Sequence, residues 1–198
     1  MKIKQKFATG LLFGAIVTSL AVTSANVIAK ERGRGNADTN GDMAIDISEA
    51  IAAATTKTEK RFETLDADLD GAVSLDEYLA NDRSGRDLTD YAQDIVDCVA
   101  DIKDESGSET IVVPEVESFQ TPEQRFSNVD ANADGVIELS EAIDHATTKA
   151  TEKFNTMDTD LDGLVTKEER QAHRENFRGT HKAIKECIDL VTSEDSDF

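Results

Sequence analysis

In the stretch DADLDGAVSLDE, residues 66–77, three aspartates occupy alternate positions, a glycine follows and a glutamate closes the run. Like charges about 4 Å apart repel by roughly 1 kcal/mol even in water, so such a cluster is costly unless a cation sits among its oxygens. The chain must also turn sharply to aim those side chains at one point, and Gly71 at the sixth position permits the turn. A hard divalent cation takes six to eight oxygens at roughly 2.3–2.6 Å, which a twelve-residue loop supplies from positions 1, 3, 5, 7, 9 and 12.

The pattern recurs because the chain carries an internal duplication. Laid over one another, DTNGDMAIDISEAIAAATTKTEKRFETLDADLDGAVSLDE (38–77) and DANADGVIELSEAIDHATTKATEKFNTMDTDLDGLVTKEE (130–169) coincide at about half their positions. Each copy holds two acidic loops, opening at Asp38 and Asp66 in the first and at Asp130 and Asp158 in the second.

The second loop offers Asp66, Asp68, Asp70, the carbonyl of Ala72, Ser74 and Glu77. The third offers Asp130, Asn132, Asp134, the carbonyl of Val136, Glu138 and Glu141, and the fourth Asp158, Asp160, Asp162, the carbonyl of Leu164, Thr166 and Glu169. These three match D-x-[DN]-x-[DN]-G-x₅-E in full. The first loop supplies Asp38, Asn40, Asp42, the carbonyl of Ala44, Asp46 and Glu49, but Met43 stands where the others have glycine. A side chain at positive φ carries strain, so this site is expected to be the weakest and the last to fill.

Residues 36–80 and 120–175 thus resemble the EF-hand superfamily of calcium-binding proteins, with calmodulin-like loops. Phe62 and Leu65, Phe126 and Val129, and Phe154 and Met157 stand where an EF-hand's incoming helix puts its core side chains. The resemblance implies an all-α fold of four helix-loop-helix motifs in two duplicated pairs, with short β-bridges between paired loops, Val73 being one apolar bridge residue. It also implies up to four calcium ions as cofactors. Magnesium demands tighter octahedral geometry, and the long glutamate at position 12 favours calcium.

The spacing within each copy is short. Between Glu49 and Asp66 no Gly or Pro intervenes, and Ile47, Ile51, Ala54, Thr58, Phe62 and Leu65 share one helical face; Leu139, Ile143, Ala146, Ala150, Phe154 and Met157 repeat this. One continuous helix in each copy would hold its two loops roughly 27 Å apart. Two such helices packed antiparallel would set loop one beside loop four and loop two beside loop three. The alternative breaks each helix near Thr55-Thr56 and Thr147-Thr148 and pairs one with two and three with four.

Outside the copies, residues 1–29 carry Lys2, Lys4 and Lys6, an apolar run from about Leu11 to Val22 and then small residues, the order of a secretory signal peptide. Cleavage would follow Ala29 or Ala25; an uncleaved anchor is the alternative. Residues 30–82 then form the first pair of motifs, 83–121 a connecting segment, 122–178 the second pair and 179–198 a C-terminal helix and tail. In the connecting segment, LTDYAQDIVDCVADIK has helical periodicity, DESGSETIVVPEVES reads as a flexible linker, and Thr121-Pro122 as a helix start. A short helix is expected around 181–192. Cys98 and Cys187 are the only cysteines, and in an exported chain they form either a disulfide or two buried thiols.

The net charge of −20 makes nucleic acid and anionic membranes poor partners. Nothing resembles a nucleophile with its base or a phosphate-binding loop, and His145, His173 and His181 lack ligand spacing, so no enzyme is expected. The reading is an exported calcium-binding protein, periplasmic or secreted, that buffers the ion or is stabilised by it. The alternative is a calcium sensor or regulatory subunit docking on another envelope or secreted protein. Beyond the signal segment, Met43 and Met157 are the only methionines, too few for a methionine-rich groove.

Overall fold

The loops set where the helices begin. In this computed structural model, which describes residues 37–82 and 87–194 (Glu194 by its backbone only), each acidic loop runs into a two- or three-residue strand and then a helix. β1 (Ile45–Asp46) leads into α1 (Ile47–Leu65), and β2 (Ala72–Ser74) into α2 (Leu75–Ala80). After α3 (Ala92–Ser106) and α4 (Pro122–Ser127), β3 (Val136–Glu138) leads into α5 (Leu139–Met157) and β4 (Leu164–Val165) into α6 (Lys167–Glu194). The described residues are predominantly helical, and they belong to one compact unit beginning at Gly35. None of the described helices is long and apolar enough to cross a membrane. The expected signal peptide and the segment entering loop one lie outside the described residues, as does most of the RSGRD stretch.

Helices α1 and α5 are unbroken through their threonine pairs. In α5 the Thr148 and Thr151 hydroxyls donate back to the Asp144 and Thr147 carbonyls at 3.0 and 2.9 Å, so they find their partners within the helix. α1 starts at a capping box in which the Asp46 carboxylate accepts from the Glu49 N–H and Glu49 accepts from the Asp46 N–H. It ends where the Asp66 N–H bonds the Phe62 carbonyl.

β1 pairs antiparallel with β4, aligning Ile45 with Val165, and β2 pairs antiparallel with β3, aligning Val73 with Ile137. Loop one therefore lies beside loop four and loop two beside loop three. α1 and α5, each joining one ribbon to the other, run antiparallel and make the most extensive helix–helix contact in the structure. The pairing within copies does not occur, because an unbroken helix holds the two loops of one copy at opposite ends.

At the loop two–loop three end, Phe62, Val73, Phe126 and Ile137 form a buried cluster. At the other end Phe154 and Val165 are buried. α4 begins as expected, with Thr121 capping, Gln124 completing the box and Pro122 in the first turn.

A second core differs from the sequence expectation. Ile95 and Val99 of α3 pack with Ile111, Ala183 and Cys187, and Cys98 and Cys187 form a disulfide across α3 and α6 with Cα atoms 5.8 Å apart. The stretch read as a flexible linker is instead laid against this core. Gly107, at φ 60°, ends α3, Ile111 is buried, and the Val112 N–H donates to Thr180 Oγ1 at 2.9 Å. The short helix expected around 181–192 is also corrected: it is the end of one 28-residue helix beginning at Lys167. Gly179 in its interior costs about 1 kcal/mol relative to alanine, offset by the packing of α6 on α3 and on residues 111–113.

Candidate metal centres

Each loop is wound by its own aspartates. In loop two, Asp66 accepts from the Asp70 and Gly71 N–H groups at 3.1 and 3.2 Å, and Asp70 accepts from the Ala72 N–H at 2.9 Å. Loop four repeats this with Asp158 accepting from Asp162 and Gly163, and Asp162 from Leu164. In loop three Asp130 accepts from Asp134 and Gly135, and Asp134 from Val136. In loop one Asp38 accepts from Gly41 and Met43, and Asp42 from Ala44. These side chains are therefore fixed on the inner side of their turns.

The outcome is convergence of oxygens. Asp66, Asp68 and Asp70 bring one carboxylate oxygen each within 4.8 Å of one another, and Asp158, Asp160 and Asp162 do the same. Both groups could hold a metal ion, and an all-oxygen donor set suits a hard divalent cation. Loops one and three have Asn40 and Asn132 at the third position, a neutral amide oxygen in place of a carboxylate. Their remaining expected ligands, Asp38, Asp42, Asp46 and Glu49 and Asp130, Asp134, Glu138 and Glu141, share the same loops. Asp66, Asp130 and Asp158 are buried, whereas Asp38 is only half-buried, so loop one encloses its first aspartate less.

The closing glutamate ties the start of each loop to its end. Glu77 Oε1 accepts from the Ala67 N–H at 2.8 Å, and Oε2 from the N–H and hydroxyl of Ser74 at 2.9 and 2.8 Å. Glu169 accepts from both groups of Thr159 and both of Thr166 at 2.8–2.9 Å. Glu141 accepts from the Asn132 and Glu138 N–H groups at 3.1 and 3.0 Å. Glu49 accepts from Thr39, Asn40 and Asp46. Donors aimed at the ionised form favour it. The Ser74 N–H and hydroxyl, with the Ala67 N–H, pull Glu77 down to about 2, and the N–H groups of Thr166 and Thr159 with their hydroxyls do the same for Glu169. The Thr39 hydroxyl and neighbouring N–H groups lower Glu49 as well.

Three features were not foreseen from the sequence. The fourth position of every loop is left-handed: Leu69, Ala133 and Leu161 have φ of 61°, 59° and 60°. Loop one has Gly41 there, at φ 79°, and Met43 at the sixth position, at φ 74°. Its glycine has exchanged places with a side chain, and Gly41 standing two residues before Met43 was the available signal. Second, Thr39 and Thr159 supply hydroxyls to the closing glutamates of loops one and four, which pair, while Ala67 and Ala131 stand there in loops two and three. Third, Arg170 donates to the Met43 carbonyl at 3.2 Å and the Val165 carbonyl at 3.5 Å, tying loop one to loop four across 127 residues. No sequence pattern announces that contact.

Comparison with protein-family models, with curated proteins and with solved structures gives no match.

Proposed function

We propose that this chain is an exported calcium-binding protein whose four acidic loops are EF-hands, each taking one calcium ion through the oxygens at positions 1, 3, 5, 7, 9 and 12. The observation that carries the reading is the pair of convergent aspartate triads, Asp66/Asp68/Asp70 and Asp158/Asp160/Asp162, each in a loop with a left-handed glycine at the sixth position and a glutamate at the twelfth. A cation bound there removes the mutual repulsion of the triad, and each closing glutamate, already held against both ends of its loop, has oxygens in place to share in binding. The antiparallel ribbons support the reading further, since paired loops fix one another's backbone. Every loop carries one side chain at positive φ, so what sets loop one apart is its less enclosed Asp38, and it would bind last. The signal-like residues 1–29 and the disulfide favour export to the periplasm or beyond. The proposal assigns the protein no catalytic step.

A sensing or regulatory role has one observation in its favour. A groove of about 450 Å³ lined by Val112, Met157 and Phe177 reaches the closing glutamate of loop four, Glu169. A change in that loop would be felt at an exposed apolar surface. Calorimetric titration of calcium with millimolar magnesium present tests both roles. Dissociation constants far below millimolar give filled sites and a structural role, values near millimolar favour sensing, and no heat of binding removes the proposal.

A further inference from the structure

A cleft of about 730 Å³ opens between α1 and α5 and is closed at one end by α2 and α4. Its charged lining runs against the composition of the chain. Asp and Glu outnumber Lys and Arg by 41 to 21, yet Arg61, Arg125 and Lys149 face the cleft and no carboxylate does. Arg125 is held by Asp82 at 3.3 Å and by the Gln120 carbonyl, and Lys149 is paired with Glu152 at 2.9 Å. Arg61 has no hydrogen bond or ion pair among the described residues, so its five N–H donors are directed to solvent and to the cleft. The floor is apolar: Ile137 is buried beneath it, and Tyr78 is fixed by an edge-on contact with Phe126 at 5.6 Å.

We infer that this cleft binds a small amphipathic organic anion, its carboxylate or sulfonate on Arg61 and its apolar body against Tyr78 and Ile137. The volume lies in the range of small-molecule sites, roughly 300–1,000 Å³, and is too small for a folded partner. The net charge of the chain does not oppose the assignment, because exposed charges beyond about 10 Å are screened at physiological salt and the groups lining the cleft decide. A guanidinium with no internal partner gains a charge-assisted hydrogen bond on binding in exchange for hydrogen bonds to water, without breaking one within the protein. The inference does not depend on which ion the acidic loops take.

The test titrates the full chain with anilinonaphthalene sulfonate and, separately, with uncharged Nile red, at one fixed divalent-ion concentration, following ¹H–¹⁵N spectra for location and fluorescence for affinity. The sulfonate should shift the amides of Asn128, Ala142 and Ala146, Arg61→Gln should weaken it about tenfold, and Arg61→Lys should retain most of the affinity. Nile red should be indifferent to either change. Arg61 is exposed, so neither variant threatens the fold. Shifts confined to the Val112–Phe177 groove, an unchanged affinity in Arg61→Gln, or a parallel loss of both probes would overturn the assignment.

Discussion

Replacing Met43 with glycine should stabilise loop one, and the sign follows from two opposing magnitudes. Met43 sits at φ 74° with its side chain 78 % exposed, so the substitution relieves backbone strain and sacrifices almost no packing. A side chain in the left-handed region costs about 1–2 kcal/mol, while the added freedom of glycine in the unfolded chain costs about 0.4–1 kcal/mol. The balance is a gain of about 0.5–1 kcal/mol. Gly41→Ala is the matched opposite: at φ 79° its new Cβ would meet nothing within 4 Å, so strain of about 1–2 kcal/mol, less about 0.4–1 kcal/mol from stiffening the unfolded chain, should cost the loop about 0.5–1 kcal/mol. Urea denaturation with chelator present measures both changes as shifts in midpoint at constant slope. If Met43→Gly proves neutral or destabilising while Gly41→Ala destabilises, the assignment of strain to Met43 is wrong.

Reducing the Cys98–Cys187 disulfide, which closes a loop of sequence separation 89, should cost about 4.6 kcal/mol on the chain-entropy model, seen as a fall in melting temperature on adding reductant. Phe62→Ala, in the cluster beneath loops two and three, should cost about 3–5 kcal/mol by denaturant melt, whereas Phe177→Ala, 61 % exposed, should stay within about 0.5 kcal/mol. With metal removed, acid should unfold the loops in a defined window. Glu77 and Glu169 have folded-state pKa values lowered from 4.5 to about 2, so the stability they contribute is present above pH 4.5 and declines as pH falls toward 2; circular dichroism across that range follows it.

The candidate cation loops were legible because alternating aspartates, a glycine and a distant glutamate satisfy several demands at once, and few other sequences do. The unbroken α1 and α5 were legible for a complementary reason: sixteen residues from 50 to 65 with an apolar stripe and no Gly or Pro leave little but a helix. Residues 111–113 were misread because a three-residue apolar island among Gly, Ser and Glu has no period, and its role depends on α6 being present. α6 itself was cut short because residues 167–180 are mostly exposed, with Ala172 and Phe177 the only aliphatic or aromatic side chains among them, and Gly179 imitates a stop. The pairing of loops across copies was open in the sequence until helix continuity was known, since both pairings use the same bridge residues.

The most direct test of calcium binding in these loops is a calcium titration followed by ¹H–¹⁵N spectroscopy at Gly71, Gly135, Gly163 and Met43, the sixth residues of the four loops. Each of their amides donates to the first aspartate of its own loop, so a cation on that carboxylate must polarise the bond. The account predicts large displacements of the three glycine amides on adding calcium, with Met43 moving last. Amides that stay in place at millimolar calcium, or that respond to magnesium as strongly as to calcium, would contradict it.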